Sequence, residues 1–237
     1  MATEADGGGA ESDAVLARRL QILATEHWGL LAARSAAQSE VLTRITIYLT
    51  LVSAGLVTIG LLGQATRFGS WFTVAALGIL GFLTVVGLLT LMRVLSVSEE
   101  DMMFVVAMNR IRGAYAEVDP TAAAAFLAST HDDELGMRVT YSFLRHRGAF
   151  EQVLASSAIL TILVTASVAG MFAGGLCAAA GVPIPGAVTV GILVGLAIAA
   201  GAVWYAGYRF TSAWKSYTPL RPSEGPPPHW VRPRRVT

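Results

Sequence analysis

The sequence predicts an all-α integral membrane protein: four transmembrane helices, a helical cytoplasmic bundle, and both termini in the cytoplasm. Three observations carry that reading. The first is composition, since 54% of the 237 residues are hydrophobic and 14% are charged, against ~25% charged in an ordinary soluble domain. The second is that residues 45–63, 71–92, 153–178 and 187–207 contain no Asp, Glu, Lys, Arg or His. Each stretch approaches the ~20 residues a helix needs to cross ~30 Å of hydrocarbon. The third is the placement of charge. Sixteen of the 17 basic residues precede the first stretch, lie between the second and third, or follow the fourth, and only Arg67 lies elsewhere. All 16 acidic residues fall in the same three regions. Cytoplasmic segments collect Lys and Arg, which places both termini and the long central loop on that side. The two remaining loops, 64–70 and 179–186, are too short and too uncharged to form an extracellular domain.

Taken in order, residues 1–11 are rich in Gly, Ala and acids and read as a disordered tail. Ser12 and Asp13 can cap a helix. Residues 12–44 form a cytoplasmic arm, with no proline and one glycine, Gly29, between Ala14 and Arg44. Leu16, Leu20, Leu23, Trp28 and Leu31 recur near helical spacing and form its apolar stripe. Nothing breaks the chain before the first span, so one helix over 13–63 is expected, with a kink near Arg44 left open. No apolar segment precedes residue 45, so a cleavable signal peptide is not expected and the first span reads as an uncleaved signal-anchor.

Residues 45–92 make the first transmembrane hairpin, and 93–152 a cytoplasmic helical region. Arg93 marks the inner interface. Residues 94–117 continue the second span as a helix carrying Met102, Met103, Val105, Val106, Met108, Ile111 and Tyr115, with Met103, Val106 and Ile111 offered to the arm. Asp119-Pro120 ends it. A short helix over 121–128 and a loop over 129–136 follow. A last helix begins near Met137 and enters span three, with Tyr141, Leu144 and Phe150 as its apolar side and Gly148 as its weak point. Residues 153–207 form the second hairpin. Residues 208–237 read as a mostly disordered cytoplasmic tail, since six of the nine prolines lie from Pro219 onward. No internal repeat is visible.

The clearest packing signal is a ladder of small residues. Ala166, Gly170, Gly174 and Ala178 recur every fourth position in span three, as do Ala187, Gly191, Gly195 and Ala199 in span four. In lipid no hydrophobic force joins helices, so close backbone approach and dispersion contacts do. The ladder predicts a tight intrachain hairpin or, alternatively, a face for homo-oligomers. Ala202, off the ladder, is expected to accept leucine. In span one, Thr46, Thr50 and Ser53 share a face. They either line a narrow polar pore or bond back to their own helix carbonyls.

The absence of ionisable groups inside the spans speaks against a proton relay or an ion-coupled transporter. Glu99, Glu100 and Asp101 are placed to attract cations to a pore mouth, or are solvated surface. His131-Asp132-Asp133-Glu134 has metal-ligand residue types, but neighbours in sequence rarely converge on one ion; Asp133 or Glu134 as a helix N-terminal charge is the better reading. His27-Trp28 reads as packing against the central helices, with a pH-sensing histidine as the alternative. Cys177, the single cysteine, has no intrachain partner and reads as a small packing residue.

A net charge of +1 with interspersed signs predicts no nucleic-acid partner. No phosphate loop, nucleophile elbow or Cys/His cluster occurs, and no span carries an acid or base for catalysis. The expectation is therefore a non-enzyme without cofactor or metal. Its partners would be the lipid bilayer, further copies of itself, or a cytoplasmic protein.

The stretches Glu26-His27-Trp28-Gly29-Leu30-Leu31-Ala32-Ala33-Arg34-Ser35 and Met108-Asn109-Arg110-Ile111-Arg112-Gly113-Ala114-Tyr115, with the four-span layout, resemble a family of actinobacterial multi-pass membrane proteins over residues 12–218. That resemblance implies a bacterial cell (inner) membrane and no particular activity. Residues 13–117 are also similar in order of elements to SLATT-type effector domains, which have a helical arm, two spans and a cytoplasmic helix. This second likeness implies an oligomeric membrane pore.

Overall fold

A computed structural model describes residues 7–142 and 157–224. Among the described residues there are six helices and no strand: α1 (Gly7–Thr66), α2 (Ser70–Val118), α3 (Pro120–Ala123), α4 (Glu134–Tyr141), α5 (Ser157–Ala179) and α6 (Ile184–Ser216). Four of them, α1, α2, α5 and α6, are long and apolar enough to cross a membrane.

Helix α1 is a single element of 60 residues, about 90 Å at 1.5 Å per residue. It passes Arg44 without interruption. The Arg44 guanidinium reaches back one turn to Glu40 at 2.8 Å, a pair that supports the helix rather than breaking it. The helix starts at Gly7, so 7–11 belong to it and not to a structureless tail. Extending a nucleated helix adds one hydrogen bond per residue, and this outweighs the weak propensity of Gly7–Gly9.

The other expected boundaries also move. Asp119 caps α3 by accepting from the amides of Thr121 and Ala122, but α3 stops at Ala123 instead of Ala128. Helix α4 begins at Glu134, three residues before Met137, because the Asp133 carboxylate caps it through the Gly136 amide at 2.7 Å. The expected continuation through Leu144, Gly148 and Phe150 lies outside the described residues. Helix α6 runs nine residues past Gly207, to Ser216, so 208–216 are helical and not tail.

The chain divides into two compact units. The apolar unit comprises Gln38–Glu99 and Gly148–Lys215. Tyr48 is its centre, fully buried among Val52, Leu80, Leu83 and Val168. Glycines let large side chains seat on opposing backbones. A Cβ on Gly87 would lie 2.4 Å from the Tyr48 hydroxyl, and one on Gly81 3.1 Å from the Phe172 ring. These contacts join α1 to α2 and α2 to α5. A second cluster holds Leu91, Leu95, Ile162 and Ala202, so Ala202 is buried and is not the free position that its place off the ladder suggested.

The turn after α1 is made without glycine at its strained positions. Arg67 and Phe68 have φ of 47° and 57°, a region that bulky residues rarely adopt. The Phe68 amide donates to the Gly63 carbonyl at 3.1 Å, and its ring lies where a Gly63 Cβ would be.

The polar unit comprises Met1–Ala37, Glu100–Arg147 and Ser216–Thr237. Within it the arm of α1 runs antiparallel to the lower half of α2. Arg34 holds Asp101 through two bonds of 2.6 and 3.1 Å, and Arg19 approaches Glu117 at 3.6 Å. Met102, Val105, Val106, Met108, Ile111 and Met137 are buried. The arm turns a different edge inward from the expected one. Leu20, Leu23, Ala24, His27, Leu30 and Arg34 are half-buried, whereas Trp28 is 68% exposed and Leu16, Leu31 and Met103 also face outward. Two ion pairs fix the rotation of the helix, and the apolar stripe is too broad for one face. Disulfide trapping checks this: cysteine at Leu23 should crosslink to cysteines placed over 105–112, and cysteine at Trp28 should not. Equal trapping at both positions would show a different rotation.

Candidate functional site

The polar unit is organised around a carboxylate that sequence reading did not single out alone. Asp132 is fully buried. It accepts from Arg110 Nε at 2.7 Å, the Tyr217 hydroxyl at 2.9 Å, and the amides of Leu220 at 3.1 Å and Arg221 at 2.7 Å. Its own amide donates to the Arg221 carbonyl. Burial by itself would raise this carboxyl; the Arg221 amide, the Arg110 guanidinium, the Leu220 amide and the Tyr217 hydroxyl outweigh it and hold the group down at about 2.

Asp133 extends the arrangement by accepting from both the amide and the hydroxyl of Ser223, at 2.7 and 2.9 Å. The segment 217–224 is thus a strap tied to the loop before α4, where a disordered tail was expected. Arg221 completes it, with bonds to Glu117 at 2.7 and 3.0 Å and to the Arg110 carbonyl at 3.0 Å. The strap lies close on Gly113, where a Cβ would stand 2.5 Å from Arg221 Cδ and 2.7 Å from the Thr130 carbonyl oxygen. The side chains on the Asp132 carboxylate come from 22 to 85 residues away in sequence, which hides the site from any local motif.

A second polar group lies beside it. Asn109, fully buried, donates to the His131 carbonyl at 3.0 Å and accepts from Thr140 at 2.9 Å and from Arg112 at 2.7 Å. Burial and the charge of Arg34 push the Arg112 guanidinium down. Burial and Arg112 push His27 down, and its Nδ1 is shielded without a hydrogen-bond partner. The Asp101 pair raises Arg34. Tyr141, whose hydroxyl donates to Asp101 at 2.5 Å, is pushed up first by burial and then by that carboxylate.

The residues singled out from sequence are placed as follows. Gly170 and Gly191 face each other: a Cβ on either would lie 2.6–2.7 Å from the other's carbonyl oxygen. Gly174 stands against Ala187 and Gly195 against Ala166, each with a Cβ-to-carbonyl distance of 3.0 Å. Ala199 touches the Leu91–Ile162 cluster, and Ala178 ends the stripe exposed. Thr46, Thr50 and Ser53 lie on an exposed face, each donating at 2.9 Å to the carbonyl four residues back.

The acidic run is engaged with protein groups. Glu99 pairs with Arg209, Asp101 with Arg34 and Tyr141, and Glu100 is not free either. Glu134 holds Arg138 at 2.7 Å. No group of three or more His, Cys, Asp or Glu among the described residues is placed to hold a metal. Set against protein-family models, curated proteins and solved structures, the chain matches none of them.

Proposed function

We propose that this chain is a non-enzymatic multi-pass protein of the bacterial cell membrane that acts through self-association or through a cytoplasmic protein partner. In this reading the polar unit and both termini are cytoplasmic. The observation that supports it most is apolar surface on the arm. Val15 and Ile22, two turns apart, are 66% and 60% exposed, and Trp28 and Leu31 are exposed on another side. Arg18, Arg19 and Glu26 lie among them, so this segment carries charge that hydrocarbon would exclude. Apolar side chains gathered on a surface outside lipid mark a protein contact.

Blue-native electrophoresis in mild detergent tests self-association: an oligomer that Ile22→Glu with Trp28→Ser reduces to a monomer is the expected result. A strictly monomeric wild-type protein leaves only the partner reading. Orientation is tested by cysteine labelling of intact cells, with reaction at Arg67→Cys or Ile184→Cys and none at Glu117→Cys. Labelling at Glu117→Cys reverses the orientation.

A second reading, an oligomeric pore, is favoured by the exposed hydroxyl face of Thr46, Thr50 and Ser53. It gains nothing from the acidic run, whose carboxylates are held by protein groups. Conductance in reconstituted bilayers decides it, and silent bilayers at high protein density end it.

A further inference from the structure

The half-buried arginines of the polar unit are matched to carboxylates with one exception among the described residues. Arg34 has Asp101, Arg110 has Asp132 and Arg221 has Glu117. Arg112 has only the neutral amide oxygen of Asn109, which Thr140 already uses. The pairs Arg19–Glu117 and Arg34–Asp101 set an antiparallel register that places His27 within about one turn of Arg112 across the helix pair. The shielded Nδ1 of His27 has no partner. A half-buried cation without a counter-charge is costly. An anion seated against these groups removes that cost.

We propose that Arg112, with His27 beside it, is a binding site for a phosphate-bearing anion, either a soluble phosphate or phosphomonoester or the phosphodiester of an anionic lipid headgroup. The guanidinium presents a planar fork of donors that matches an oxyanion with two parallel hydrogen bonds. Asn109 occupies Nη1 and fixes the plane of that fork, which leaves the guanidinium's other donors for the ligand. His27 supplies a further nitrogen. The site goes beyond the association role proposed above and does not depend on it.

The test uses the full-length protein in a neutral maltoside detergent at constant ionic strength. Thermal unfolding is followed against inorganic phosphate, AMP, and short-chain phosphatidylglycerol, with chloride as the control. The expected result is a saturable rise in the wild-type unfolding temperature with phosphate or AMP if the source is soluble, or with the lipid alone if it is a headgroup. Arg112→Gln should weaken that response by about tenfold or more, and Arg112→Lys, which keeps charge but loses the fork, should weaken it by less. In chloride, Arg112→Gln should unfold no lower than wild type, because it removes an unmatched cation. Arg18→Gln, at an exposed arginine of the same arm, should respond as wild type does. The proposal is overturned if the wild type shows no response to any of the three probes, or if Arg112→Gln responds as strongly as wild type. An Arg112→Gln protein that unfolds well below wild type in chloride also overturns it, since that marks a structural arginine.

Discussion

Asp132→Ala should release the strap and destabilise the polar unit by about 3 kcal/mol. The carboxylate receives four hydrogen bonds, and two of them come from backbone amides of the strap that have no second partner in view. Removing one side of a buried ion pair typically costs 3–5 kcal/mol. The lower end applies here, because the Arg110 side chain is 42% exposed and regains water. The direct readout is hydrogen exchange of the amides of 217–224: slow in the wild type, fast in the variant. Acid should reproduce the effect. The folded-state value of about 2 lies below the ordinary 3.8. The stabilisation is therefore complete above about pH 4 and is lost as pH falls toward 2. Asp132→Ala should lack that acid limb. Unchanged exchange at Leu220 and Arg221 in the variant would mean that other contacts hold the strap.

Gly191→Leu should be among the most damaging single changes in the apolar unit, at about 3 kcal/mol or more. The obstacle is backbone: a Cβ there stands 2.7 Å from the Gly170 carbonyl oxygen. No rotamer relieves it, so α5 and α6 must separate. Overpacking costs about 1–3 kcal/mol where side chains can yield, and here they cannot. Gly195→Leu, starting from 3.0 Å, should be milder. Gly201→Leu, with open space around it, should be nearly silent. Ala202→Leu is no control, since it enters the Leu91–Ile162 cluster. Thermal unfolding in detergent should rank the variants in that order, and equal tolerance at Gly191 and Gly201 would refute the close contact.

The helices and the ladder were legible because both are local properties. Hydropathy over twenty residues and a four-residue period need no knowledge of distant partners. The rotation of the arm was not legible. Leu16, Trp28 and Leu31 have the right spacing, yet the inward edge is set by the Arg34 and Arg19 ion pairs, which the sequence cannot match to Asp101 and Glu117. Asp132 was visible only as one of three adjacent acids. Each acid takes a different part: Asp133 caps α4, Glu134 pairs with Arg138, and Asp132 is buried by Arg110, Tyr217 and the strap. Burial separates them, and burial is a tertiary fact. The start of α4 moved for a related reason, since a capping carboxylate, not apolar periodicity, decides where that helix begins.

The polar unit is assembled from three separated stretches, the last of which begins at Ser216. Its central residue, Asp132, has four of its five backbone and side-chain links with Tyr217, Leu220 and Arg221. During synthesis this unit therefore stays open until every apolar helix has left the ribosome. Removing 217–224 would take away the closing piece while keeping all four apolar helices.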